Sequence, residues 1–221
     1  MLTLKPARLT KPLDFSDVKR KKAFLGYITS KVREKAIAQI PDEHGVLVDI
    51  ATGNGLFLVD IQHRYHHSYK LIGLDLRYPL LKEAQQISKT NIIKNLEWIN
   101  GDAFYLPIRT NGVSIIFCLN TFLNIKTFDE VKAILKELVR ITKPGGKIVF
   151  DIRNRSNILI YMKYFLHSFQ NTFTTSSYSI AQFNCIMEEV GTELINVDAV
   201  GLRNKLFAWD FIITLQKQEV K

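Results

Sequence analysis

The chain has 221 residues, with 30 Lys or Arg against 21 Asp or Glu and a formal net charge of +9. That length holds one domain with a sizeable core and excludes two comfortable ones. Two cysteines, Cys118 and Cys185, exclude a disulfide framework, and no apolar run approaches the length of a membrane helix, so a protein of a reducing, cytoplasmic compartment with no membrane span is expected.

The charge is uneven. Residues 1–35 hold ten Lys or Arg against three acids, contributing +7, and the remainder contributes +2. Met1 to Phe15, with Pro6 and Pro12, is expected to form an extended or poorly ordered arm, and its charges stand where a signal peptide needs an apolar core. A helix is expected from about Ser16 or Asp17, with Phe24, Tyr27, Ile28, Ala36 and Ile40 on its apolar face and Pro41 at its end. Residues 1–40 are read as a basic arm and helix, and residues 41–221 as the main unit of a single globular domain. The basic segment suits RNA phosphates or an anionic membrane, but a solvated surface helix is the preferred reading.

Gly45 to Leu58, GVLVDIATGNGLFL, is the stretch around which the rest of the chain is organised. Val46, Leu47, Val48 and Ile50 read as a strand buried on both faces, interrupted by Asp49. Ala51, Gly53 and Gly55 allow a sharp turn and close approach of a ligand, and the run from Leu56 to Ile61 begins a helix. The unpaired N–H groups at that helix start suit an anionic group. A dinucleotide fingerprint GxGxxG counted from Gly53 needs a third glycine where Leu58 stands. Asp49, Ala51, Gly53 and Gly55 instead resemble the DxGxGxG loop of class I S-adenosylmethionine-dependent methyltransferases, with Ala51 at the first glycine.

The first crossover helix is expected to run to about Arg64 and the second strand over Leu71 to Leu74. Asp75 follows at its carboxyl end, twenty residues after Gly55, where an acid accepts hydrogen bonds from both hydroxyls of a ribose; the alternative is an acid at a helix start. Pro79, Leu80, Leu81, Ala84 and Ile87 give YPLLKEAQQISK its helical spacing. A third strand, Leu96 to Asn100, leads into GDAFYLPI. Here the resemblance implies that Asp102 accepts from an adenine amino group and that the Ala103 N–H reaches a ring nitrogen. Phe104 or Leu76 is expected to supply an apolar face to the base, unless it is core.

The fourth strand, Val113 to Leu119, is continuous and apolar, hence central, with Ser114 where the family often has an acid. Thr52 and Leu119 complete the expected cofactor-binding set. Asn120, Thr121 and Asn124 then fall at the strand's carboxyl end, as contacts or as ordinary loop residues. Thr127 and Glu130 form a capping box, followed by Phe128, Val131, Leu135, Leu138 and Val139 on one helical face. KPGG, Lys143 to Gly146, is read as the helix stop before a fifth strand, Lys147 to Ile152.

DIRNR, Asp151 to Arg155, lies over the same edge, so Arg153, Asn154 and Arg155 are expected to face an acceptor pocket. The aromatic segment 158–173 is read as a lid or acceptor-binding helix, or equally as core. Ser179 begins a last helix that Gly191 stops, and two strands, near Glu193 to Val200 and Leu206 to Gln216, close the chain as an antiparallel pair at the sheet edge. The expected fold is α/β, a Rossmann-like doubly wound seven-stranded sheet, mostly parallel with an antiparallel C-terminal edge strand.

The resemblance covers about residues 45–155 motif by motif and looks most like the group containing ubiquinone and menaquinone biosynthesis methyltransferases. It implies S-adenosyl-L-methionine as cofactor and in-line transfer to a small-molecule acceptor. Tyr27, Asn120, Arg153 and Tyr161 are the residues expected near that acceptor, and no catalytic base is assigned. RNA methylation and a non-catalytic S-adenosylmethionine-binding module remain as alternatives. The His63, His66, His67 cluster lacks a separated fourth ligand and is read as a solvated loop, so no metal is expected. Oligomeric state stays open.

Overall fold

The computed structural model describes residues 23–65, 69–91, 95–157, 176–201 and 207–219. Seven strands form one sheet. They are β1 (Gly45–Ile50), β2 (Tyr69–Asp75), β3 (Leu96–Asn100), β4 (Val113–Cys118), β5 (Thr142–Arg153), β6 (Thr192–Gly201) and β7 (Ala208–Lys217), in the order β3-β2-β1-β4-β5-β7-β6. β1 to β5 pair in parallel, and β7 runs antiparallel to both β5 and β6. The closing pair thus lies at the edge as expected, with β7 inside and β6 outermost.

All six residues of β4 are buried, as a strand with helices on both faces requires. On one face lie α1 (Ala23–Ile37) and α2 (Leu56–Tyr65), whose Ile28, Val32, Ala36, Phe57, Leu58 and Ile61 meet Leu47, Ile115, Phe117, Val149 and Ile212. α3 (Tyr78–Thr90) joins them through Trp98, whose indole N–H donates to Ser88 Oγ at 3.4 Å. The opposite face is covered by α4 (Phe128–Ile141) and α5 (Ile180–Met187). Strand order reverses between β1 and β4, where β1 has β2 on one side and β4 on the other. In a doubly wound sheet that reversal opens a crevice outside the carboxyl ends of the strands.

Several sequence expectations shift in detail. Tyr27 is 55% exposed, and Val32, fully buried, takes its place on the packed face of α1. The expected helix start at Ser16 or Asp17 lies outside the described residues, as do His66, His67 and segment 158–173 with Tyr161. KPGG does not stop α4. That helix ends at Ile141, where the Thr142 N–H and hydroxyl both turn back to the Leu138 carbonyl. KPGG lies within β5, as extra residues between the pairs Val113↔Thr142 and Ile115↔Lys147, a bulge that Gly145 permits at φ 72°. The capping box of Thr127 and Glu130 is present, and Ser179 with Gln182 forms a second one at α5.

Candidate functional site

The turn after β1 is built on left-handed backbone at Ala51, Gly53 and Gly55, with φ of 57°, 60° and 74°. Alanine holds that conformation at a cost of about 1–2 kcal/mol, so its neighbours must fix it. Thr52 does so: its hydroxyl donates to Asp49 Oδ2 at 2.6 Å and its N–H to the Leu74 carbonyl at 2.9 Å. Asp49 and Thr52 are both buried, as is Asp75, and the hydrogen bond between Asp49 and Thr52 supports the loop from beneath. Burial pushes the Asp49 carboxyl up to about 7, against the Thr52 hydrogen bond and the Arg33 charge.

The two glycines differ. A Cβ on Gly53 would meet nothing within 4 Å, whereas one on Gly55 would fall 2.1 Å from Trp98 Cη2 and 3.0 Å from Ala84 Cβ. Gly53 leaves open space above the loop. Gly55 makes the expected sharp turn at φ 74°, and a further reason for its small size, not read from the sequence, is that Trp98 packs over it.

Asp75 ends β2 and ties the first loop to the second. Gly53 N–H donates to its Oδ2 and Arg77 N–H to its Oδ1, each at 2.8 Å. Each carboxylate oxygen keeps a further lone pair. Leu76 beside it is 66% exposed. Asn100 holds this loop by donating from Nδ2 to the carbonyls of Asp75 and Leu76, both at 2.9 Å.

After β3, Asp102 Oδ1 accepts from the Phe104 N–H at 3.0 Å, and the Asp102 carbonyl accepts from the Tyr105 N–H at 3.1 Å. Asp102 stays partly exposed, while Ala103 and Phe104 pack against the core of the α4 face. Of the two apolar candidates for a base face, Leu76 is therefore the open one. The loop is clamped from α4: Glu137 accepts from the Leu106 N–H at 2.9 Å, and Arg140 donates to the Leu106 and Ile108 carbonyls at 2.9 and 3.0 Å. The Arg140 guanidinium holds the Glu137 carboxyl below its ordinary range.

The other half of the edge is built differently. Leu119 is partly buried against the core, and Asn120, left-handed at φ 52°, donates its N–H to Asp151 Oδ1 at 2.5 Å. Arg153 does not stand open as expected; it is 9% exposed, with Nη1 at 3.2 Å from Asp210 Oδ2. Asn154 is buried and donates to the Ala208 carbonyl at 2.9 Å, while Arg155 is exposed. Gly53, Asp75 and Asp102 thus gather over β1 to β3, Asn120 and Arg153 over β4 and β5, and Tyr27 stands exposed on α1.

Asp151 and Asp210 went unmarked in the sequence. Their signal was an acid interrupting an apolar strand, VFDI and AWDFIITL, as Asp49 interrupts VLVDI.

Residues 47–146 match the family model for a methyltransferase domain. The demethylmenaquinone methyltransferase of Lactococcus lactis is 27% identical over 140 residues, 63% of this chain and 54% of that protein. That of Bacillus mycoides is 25% identical over 170 residues, 68% of this chain and 70% of that protein. The chain spans about half the length of the first of these relatives. Among solved structures, magnesium protoporphyrin IX methyltransferase of Synechocystis with bound SAH (S-adenosylhomocysteine) superposes with a TM-score of 0.71 at 13% identity, over 88% of each chain. The methyltransferase of Haloferax volcanii in complex with the activator Trm112 gives 0.69 at 16% identity, over 86% of this chain and 90% of that one. At these identities the two superpositions establish the fold.

Proposed function

We propose that this chain, which belongs to the class I S-adenosylmethionine-dependent methyltransferases, binds S-adenosylmethionine over β1 to β3 and methylates a small aromatic acceptor held over β4 and β5. The observation that carries this reading is the row formed by Gly53, Asp75 and Asp102, each at the carboxyl end of a neighbouring parallel strand. Their donors and acceptors follow the order of the ligand: amino-acid end, ribose, adenine.

The residues fit that ligand. The open space above Gly53 admits the methionyl end close to the backbone, where α2 starts and its unpaired N–H groups favour a carboxylate. The free lone pairs of Asp75 accept from ribose hydroxyls, and exposed Leu76 covers one face of the base. Asp102 accepts from the adenine amino group, with the Ala103 N–H directed to a ring nitrogen. When bound, S-adenosylmethionine supplies a methyl group already activated on a sulfonium. What remains for the protein is to hold an acceptor in line at near-attack distance, which can supply several kcal/mol of the barrier reduction.

The relatives, both demethylmenaquinone methyltransferases, support as acceptor a hydroquinone-like ring. No described helix is long and apolar enough to cross a membrane, and we infer a cytoplasmic enzyme acting on such a ring. Incubation with S-adenosylmethionine and 1,4-naphthalenediol, followed by mass spectrometry, tests this directly. A product heavier by one methylene supports the acceptor class. A protein that binds S-adenosylhomocysteine but leaves the diol unmethylated contradicts it. RNA methylation, favoured only by the +7 charge of residues 1–35, instead predicts RNA affinity that falls steeply with salt.

A further inference from the structure

Asp151, Arg153 and Asp210 form a buried charge cluster to which no role is yet attached. Ile212 pairs with Asp151 and Asp210 with Arg153 across β5 and β7. Val149 and Ile212 belong to the α1-side core, so by the two-residue period of strands Asp151, Arg153 and Asp210 point to that same face. Asp49 shares it, two positions after Leu47. Asp151 lies two strands from the β1 loop, roughly 10 Å across the sheet at ordinary strand spacing. With the ligand extending from β1 toward β3, this is the half of the edge left for an acceptor.

Among the described residues, three polar atoms of the cluster have no hydrogen-bond partner: Asp151 Oδ2, Arg153 Nε and Asp210 Oδ1. Buried groups of this kind are rarely left unmade, since each costs about 1–3 kcal/mol and more when charged. Two carboxyls face one guanidinium, so the cluster carries an excess negative charge when both are ionised. It therefore repels a carboxylate or phosphate on the acceptor. Two acceptor atoms and one donor atom complement a hydroxyl, which donates once and accepts once. Arg153, with 10% of its side chain exposed against none for Asp210, is the member nearer solvent.

We propose that this cluster is the polar end of the acceptor site, that it takes a neutral ring hydroxyl, and that Asp151 is the base which removes the hydroxyl proton. The hydroxyl O–H bond breaks and the proton passes to Asp151 Oδ2, while Arg153 Nε–H donates to the oxygen left behind. The released electron pair forms the bond to the transferred methyl, at that oxygen or, by conjugation, at the neighbouring ring carbon, which then loses its own proton to water. The methyl's former bonding pair leaves with the sulfonium sulfur of the co-substrate. Asp210 acts through Arg153 as a positioning residue.

Burial raises both acids, Asp151 to about 6 and Asp210 to about 7, in each case against the Arg153 charge. Arg153 and Asp210 face Asp151 from β5 and β7. The Asn120 N–H comes from just beyond β4, and the Asp49 carboxyl lies on the same face in β1; Cys118, at the end of β4, packs in the core of the opposite face, where Asp151 and Asp49 add to the rise of its thiol, which burial chiefly drives to about 12.

The inference rests on the methyltransferase reading, and its test separates the two. Carbon-13 NMR of aspartate-labelled protein without ligand reads the cluster beside Asp49, whose own raised signal Asp49→Asn identifies: Asp151 and Asp210 are expected to titrate well above the ordinary aspartate range, and Asp210→Asn removes its own titration while moving that of Asp151 to lower pH. Both titrating near 4 would overturn the proposal. Methylation of 1,4-naphthalenediol reads the chemistry. Asp151→Asn, which keeps an oxygen for the Asn120 N–H, should lose about 10²–10⁴-fold in kcat with S-adenosylhomocysteine affinity retained. Asp210→Asn should keep measurable turnover with its acid limb shifted to lower pH. Wild-type turnover matched by Asp151→Asn overturns this proposal alone, and a wild type that leaves the diol unmethylated overturns the acceptor reading with it.

Discussion

Trp98 occupies the space that any side chain on Gly55 would need: a Cβ there would fall 2.1 Å from the indole Cη2. The ring also crosses Gly73, where a Cβ would meet Cζ3 at 2.3 Å. One aromatic residue of β3 therefore fixes how α2 leaves the loop and how closely β2 packs beneath it. Gly55→Ala should destabilise the fold by about 2–4 kcal/mol, combining overpacking with left-handed strain. Gly53→Ala, with open space above it, should cost only about 1 kcal/mol while weakening S-adenosylhomocysteine binding severely. Urea unfolding and calorimetric titration of the two variants check the split.

Ala51 offers the opposite test. Its left-handed φ of 57° is tolerated because the Thr52 hydroxyl and N–H anchor the turn. Ala51→Gly relieves that strain at the entropic cost glycine carries in the unfolded chain. The net effect should be a gain of up to about 1 kcal/mol in urea unfolding, with ligand affinity unchanged.

How much of this was legible in the sequence depends on which force decides each position. Strands β1 to β4, the α4 capping box and the place of Asp75 at the end of β2 followed from local pattern, since burial periodicity and caps act over a few residues. The role of Gly55 did not, because Trp98 lies 43 positions away in sequence. KPGG is turn chemistry by composition, yet pairing with β4 absorbs it as a bulge. Arg153 looked like a free cation at a strand end until antiparallel β7 brought Asp210 beside it.

Acid should stabilise the ligand-free protein. Asp49, Asp151 and Asp210 all have folded values raised above the ordinary aspartate range, to about 7, 6 and 7. A raised carboxyl binds its proton more tightly folded than unfolded, so its stabilising contribution is complete below about pH 4 and is lost as pH rises toward 7. Unfolding free energy should therefore drop, by on the order of a few kcal/mol, between about pH 4 and pH 7. Asp49→Asn should flatten part of that slope. A stability that rises over this window would contradict the assignment.

The clamp of Glu137 and Arg140 on the loop after Asp102 should matter to the ligand at a distance. Arg140→Leu removes donors from the Leu106 and Ile108 carbonyls, two hydrogen bonds worth about 1–3 kcal/mol each when charged. The loop should loosen and S-adenosylhomocysteine affinity fall about 3–30-fold, with the loss read by calorimetric titration beside amide exchange at residues 102–108.

Asp75 joins the two loops of the proposed cofactor site, since its two oxygens hold the Gly53 and Arg77 N–H groups and each keeps a further lone pair. Titration of S-adenosylhomocysteine into the wild type and into Asp75→Ala is the most direct measurement. Saturable binding by the wild type, weakened about 10–100-fold in the variant as loss of charge-assisted hydrogen bonds requires, is the result predicted. A folded wild type that binds no S-adenosylhomocysteine, or an Asp75→Ala protein that binds it equally well, would contradict the site.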